Sequence, residues 1–194
     1  WIATLAASRK MGWVPGRPLS LRYQNPERRP LFWLFLDASR SAGALKFLGT
    51  ALKALQNLGL RQASRRFHVL LLKDDRLEWK LKRGTAGAAL KTMDELRSAS
   101  GKSRLHLALE KMDQAVRKVG VLPEDRLLIC SDGLFTPDSA ASLESEKRRF
   151  QGLLKKMVQR FHSSAWLHPV PKRGMRRWIP DLADSSKIQL IEIG

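Results

Sequence analysis

The chain has 194 residues, 43% of them hydrophobic, and 36 basic against 18 acidic side chains give a formal charge of +18. That length buries a real core and favours a single domain, while no apolar run approaches the roughly 20 residues that a membrane-spanning helix requires. A charge so far from zero calls for an acidic counterpart: nucleic acid, an anionic surface or an acidic protein.

Residues 1–30 hold two Trp, four Pro and many Arg without a sustained period, and read as a basic arm or linker. Their opening apolar stretch precedes its charges rather than following them, the reverse of a secretory signal. Because the chain begins at Trp1, a C-terminal piece of a longer protein is expected. The domain itself is expected over 31–194. It starts with Leu31-Phe32-Trp33-Leu34-Phe35-Leu36, a continuous apolar run of the kind buried on both faces of a sheet. Leu45, Leu48, Leu52, Leu55 and Leu58 then recur at helical steps, and Gly59 is placed to stop that helix.

Phe67 to Leu72 reads as a second strand, 73–76 as a turn, and Leu77, Trp79 and Leu81 as the alternating face of a half-exposed hairpin partner. A short helix is expected over Ala86 to Leu96. A longer one follows, with Leu105, Leu109, Met112, Val116 and Val119 on one face. Leu127 to Cys130 is another buried strand, and Phe150, Leu153, Leu154, Met157, Val158 and Phe161 mark a helix. Strands over Ser164 to Val170 and Ile188 to Ile193 close the chain. This alternation predicts an α/β fold with a mainly parallel central sheet and one antiparallel edge strand. Trp33 and Trp79 are expected in the core.

The chemistry concentrates where strands end. Asp37, Ser39 and Ser41 follow the first strand at alternating positions; Ser103 precedes the long helix; Asp132 follows the strand ending at Cys130. All are oxygen donors, the set that hard cations such as Mg²⁺ select, and Mg²⁺ keeps waters to complete about six ligands. Taken singly, each is an ordinary helix cap or turn residue. Gly101-Lys102-Ser103 is not a phosphate loop, because Leu96 stands where that loop needs Gly. Ser131 lacks the Gly-x-Ser-x-Gly elbow of a hydrolase nucleophile. The four His are scattered without metal spacing, and the lone Cys130 reads as a small buried hydrophobe in a reducing, cytoplasmic protein.

Taken together, these residues resemble the von Willebrand factor A family, the integrin I-like domains. Asp37-Ala38-Ser39-Arg40-Ser41 matches its Asp-x-Ser-x-Ser loop, Ser103 stands at the place of its usual Thr, and Asp132 matches its third loop. The resemblance implies a three-layer Rossmann-like fold with helices on both faces. It also implies a metal-ion-dependent adhesion site for Mg²⁺, or Mn²⁺ or Ca²⁺, at Asp37, Ser39, Ser41, Ser103 and Asp132. Within the family, the basic arm and short loops look similar to the C-terminal domain of D-type magnesium and cobalt chelatase subunits. That implies a non-catalytic interaction module whose metal is completed by an Asp or Glu of an acidic protein, such as an ATPase or a large chelatase subunit. Arg40, where the family usually has Gly, together with Lys102 and Arg104, is expected to weaken the metal and clamp an acidic ligand. The alternative is a basic nucleic-acid-binding protein with a vestigial metal site, although no zinc-finger spacing or aromatic RNA-binding motif is present.

Overall fold

The computed structural model describes residues 30–38, 53, 65–73, 76–94, 105–133, 143–169 and 188–193. The expected arm at 1–30, apart from residue 30, and most of the expected helix over 45–58 lie outside them. Six strands form one sheet: β1 (Leu31–Asp37), β2 (Arg66–Lys73), β3 (Arg76–Gly84), β4 (Arg126–Cys130), β5 (Ser163–Pro169) and β6 (Gln189–Ile193). Their order is β3-β2-β1-β4-β5-β6. Every pairing is parallel except β2 with β3, which is antiparallel. The described helices are α1 (Ala86–Asp94), α2 (Leu105–Val119) and α3 (Leu143–Val158).

Side chains alternate across the central strands, and both sides are apolar. Leu31, Trp33 and Phe35 of β1 join Leu70, Leu72, Leu127, Ile129 and Trp166 in one core. Leu34 and Leu36 join Phe67, Val69, Leu71, Leu128 and Leu167 in the other. A sheet with two apolar faces needs cover on both, which is why these strands read as unbroken hydrophobic runs. On the first face α2 contributes Ala108, Leu109, Met112 and Val116, and α3 contributes Phe150, Leu154 and Met157. Each large side chain so buried contributes about 1.5–3 kcal/mol. On the second face α1 presents Ala86, Ala89 and Met93.

The expected strands are present, with ends shifted by a residue or so except at β3, which runs three residues past Leu81 to Gly84. Three expectations need correction. Val119 does not lie on the buried face of its helix but is 41% exposed. It falls in the last turn of α2, just before Gly120 closes the helix with φ 80° and an N–H donated to the Val116 carbonyl at 2.9 Å. Phe161 is buried, yet outside α3: the helix ends at Val158, and a turn swings the Phe161 ring edge-on to Trp33 at 6.0 Å. Trp79 is half-buried rather than fully in the core, because it stands on the edge strand β3.

Trp79 packs there on His68, whose ring also lies 4.5 Å from that of Trp33. Opposite His68 the β2–β3 register slips, so Lys82 and Arg83 share its place. Arg83 has φ 52° and donates its N–H to His68 Nδ1 at 3.2 Å. Burial, then the nearby Arg83 charge, holds the His68 imidazole down at about 4 from its usual 6.5. The folded state therefore favours neutral His68, whereas the unfolded chain takes up a proton near 6.5. This contribution to stability is complete above about pH 6.5 and is lost as pH falls through about 4. After a discount for solvent screening it is on the order of 2 kcal/mol. His68→Asn keeps an acceptor for Arg83 but cannot titrate. Urea unfolding at pH 7 and pH 4 is expected to show a smaller acid-induced loss in that variant than in the wild type.

Candidate functional site

In the strand order, β1 is followed by β2 on one side, while β4 lies on the other, so the chain reverses direction across the sheet between β1 and β4. Open α/β sheets leave a crevice at the carboxyl ends of the two strands flanking such a switch. Leu36 of β1 pairs with Cys130 of β4, and the next residues along, Asp37 and Ser131, come side by side. The period of two puts both on the α2–α3 face of the sheet. Asp132 follows immediately. Two of the five expected ligands, Asp37 and Asp132, are thus brought to one edge at adjoining strand ends. Both are buried, at 1% and 8% exposure. Ser39, Arg40, Ser41, Lys102, Ser103 and Arg104 lie outside the described residues.

Ser131 fixes the orientation of Asp37. Its hydroxyl donates to Asp37 Oδ2 at 2.7 Å and accepts the Gly133 N–H at 3.1 Å. Its carbonyl accepts Trp166 Nε1–H at 2.9 Å, and its own N–H continues the ladder to the Leu167 carbonyl at 3.2 Å. Ser131 is wholly buried, so this chain of bonds is shielded from water and holds the carboxylate in one pose. Gly133 completes the arrangement: its φ of 68° turns the backbone so that its N–H points back at the hydroxyl. On the other side the chain stays in the sheet one residue further, with Ala38 N–H donating to the Leu72 carbonyl at 2.9 Å.

The sequence reading set Ser131 aside as a failed nucleophile and missed this role. The available signal was positional, since a hydroxyl residue one step beyond Cys130 faces the same way as Asp37. Neighbouring Cys130 is inert: burial pushes its thiol up to about 12, so it stays protonated and packs as a hydrophobe.

The donor chemistry suits a hard cation. The switch point presents carboxylate oxygens, and among the described residues no cluster of three or more His, Cys, Asp or Glu forms a softer or all-carboxylate site. Two buried carboxylates are costly to ionise unless positive charge or hydrogen bonds accompany them, and a divalent ion would supply such charge.

A doubly wound, mostly parallel six-stranded sheet with one antiparallel edge strand is a fold that this chain shares with von Willebrand factor A domains. Comparisons with solved structures agree on this fold. The chain is similar to the SpRpn10 VWA domain with TM-score 0.58 and 13% identity, over 84% of this chain and 87% of that one. It is similar to manganese-loaded TRAP protein of Plasmodium vivax with TM-score 0.61 and 15% identity, over 84% of this chain and 68% of that one. BatB from Bacteroides thetaiotaomicron gives TM-score 0.55 and 15% identity, over 85% and 90%. No family model matches the chain, and no curated protein does. At such low identity the likeness establishes the fold alone.

Proposed function

We propose that this domain is a protein-interaction module that grips an acidic residue of its partner through a Mg²⁺-type ion. The observation that supports this most is that two buried acids, Asp37 and Asp132, follow the adjoining strands β1 and β4 at the switch point of the sheet. Asp37, Ser39, Ser41, Ser103 and Asp132 would hold the ion, which supplies a bridging positive charge to the partner's carboxylate. Arg40, Lys102 and Arg104 would steer and clamp that carboxylate. A manganese-loaded neighbour of the same fold supports a hard divalent ion. We read the module as non-catalytic, because Ser131 is wholly buried and its hydroxyl is held between Asp37 and the Gly133 N–H, out of reach of a substrate. On the resemblance of the arm and the loops alone, we place the partner in a chelatase-like, ATPase-associated assembly.

Surface plasmon resonance against an immobilised peptide bearing a single Glu tests this reading. Binding is expected in Mg²⁺ and is expected to disappear in EDTA; equal binding under both conditions would sink it. Ser131 gives a finer prediction. Ser131→Ala leaves the ligands in place but removes the hydroxyl that orients the Asp37 carboxylate, and is expected to weaken divalent-ion affinity about 10–100-fold. Ser131→Thr, which keeps the hydroxyl donor, is expected to retain most of that affinity. Isothermal titration of both variants with Mn²⁺ measures the difference.

A further inference from the structure

A second feature lies away from the strand ends, on the outer side of the α2–α3 pair. There the two helices enclose an open groove of ≈ 520 Å³. Glu110, Asp113 and Arg117 line it from α2 at steps of three and four, and Arg148, Arg149, Gly152 and Lys156 line it from α3. Four cations thus face two carboxylates. The carboxylates are already engaged within the wall. Arg149 Nη2 lies 2.5 Å from Glu110 Oε1, and Asp113 is held by Arg117 at 2.7 Å and Arg160 at 3.4 Å. Arg148 and Lys156 are exposed and form no ion pair among the described residues. The groove therefore carries positive charge that the fold itself does not use.

Gly152 is an independent sign of a partner. It sits inside α3, where glycine weakens a helix relative to alanine. A Cβ there would meet no atom within 4 Å, and the backbone is not left-handed, so neither packing nor φ demands glycine. Its bareness keeps the groove open beside half-buried Leu153, where another chain can approach closely.

We propose that this groove docks an acidic segment of a protein partner, through Arg148 and Lys156 and close contact over Gly152. The site is independent of the metal reading above. The two cations stand about 12 Å apart along the helix axis, the reach of carboxylates roughly four residues apart on an extended chain. A nucleic-acid backbone fits less well. Among the described lining residues no aromatic ring offers a base a surface to stack on.

The test uses the 194-residue chain in EDTA, titrated against fluorescein-labelled polyglutamate and against labelled oligothymidylate of equal charge, with fluorescence anisotropy as readout. Arg148→Glu with Lys156→Glu is expected to weaken polyglutamate binding roughly tenfold or more. Gly152→Phe, which fills the groove and keeps every charge, is expected to weaken it as well. All three positions are exposed, so the variants are expected to fold, as circular dichroism checks. Lys53→Glu with Lys91→Glu makes the same change in net charge at exposed positions that do not line the groove, and is expected to leave binding within about twofold. Equal weakening in that control, normal binding by Gly152→Phe, or tighter binding of oligothymidylate than of polyglutamate would each overturn the proposal.

Discussion

Asp125→Ala is expected to lower the unfolding free energy by about 3–5 kcal/mol, a large part of what a domain of this size possesses. Asp125 is wholly buried at the edge of the sheet opposite the acids. Its Oδ1 accepts the Leu31 N–H at 2.8 Å. Its Oδ2 accepts Trp33 Nε1–H and the Leu122 N–H, both at 3.1 Å. Its backbone N–H reaches the Leu122 carbonyl at 3.0 Å, and its carbonyl takes the His162 N–H at 2.8 Å. One side chain thus ties the start of β1, the turn before β4 and the indole at the centre of the first core. Removing it strands two buried donors, the Leu31 N–H and Trp33 Nε1–H, and a third, part-buried one on Leu122. Asp125→Asn keeps one acceptor but turns donors toward donors, so it is expected to fall between the wild type and Asp125→Ala. Urea midpoints with unchanged slope measure the loss. The folded fraction is expected to keep its divalent-ion affinity, because Asp125 lies at the far ends of the strands.

Asp37→Ala is expected to have the largest effect on binding. At 100 times the dissociation constant, an ion that binds only the folded state stabilises it by about 2.7 kcal/mol. Wild-type protein is therefore expected to melt several degrees higher in saturating Mg²⁺ than in EDTA, roughly 2–4 °C for each kcal/mol at this size. In Asp37→Ala that difference is expected to vanish. Without metal the variant is expected to melt close to the wild type or above it. The Ser131 hydroxyl loses its acceptor, at a cost of about 1–3 kcal/mol, but one carboxylate no longer has to be buried. Scanning calorimetry with and without Mg²⁺ separates the two effects.

The strands of this domain were readable because both faces of its sheet are covered. Leu31 to Leu36 has no polar residue to confuse the pattern, and the switch to charged alternation at Leu77, Trp79 and Leu81 marked the edge strand. The helices were readable only where they touch the sheet. The first two turns of α3 are mostly polar and carry no apolar period, and Phe161 continues the helical spacing although a turn carries it into the core. Spacing reports burial, and it does not distinguish a helical residue from one delivered by the following turn. The register slip opposite His68 left no mark in the sequence, since Lys82 and Arg83 are ordinary edge residues until their strand is paired.

The candidate site shows the same division. Asp37 and Asp132 were found because they end obvious strands. Ser131 and Asp125 were not, because their roles depend on which strand lies alongside. A Ser before Asp-Gly and an Asp after Pro-Glu both look like turn residues. Only the pairing of β4 with β1 makes one the support of Asp37 and the other the anchor of Trp33. The positive charge was plain in the composition, but its gathering along the α2–α3 groove requires the two helices to lie together.

The central claim is that the β1–β4 switch point holds one hard divalent ion. Electron paramagnetic resonance of free Mn²⁺, titrated into the full chain, tests it most directly. The account predicts saturable binding of one Mn²⁺ per chain, displaced by Mg²⁺ and abolished in both Asp37→Ala and Asp132→Ala. Absence of saturable binding by the wild type, or undiminished binding by the two variants, would contradict it.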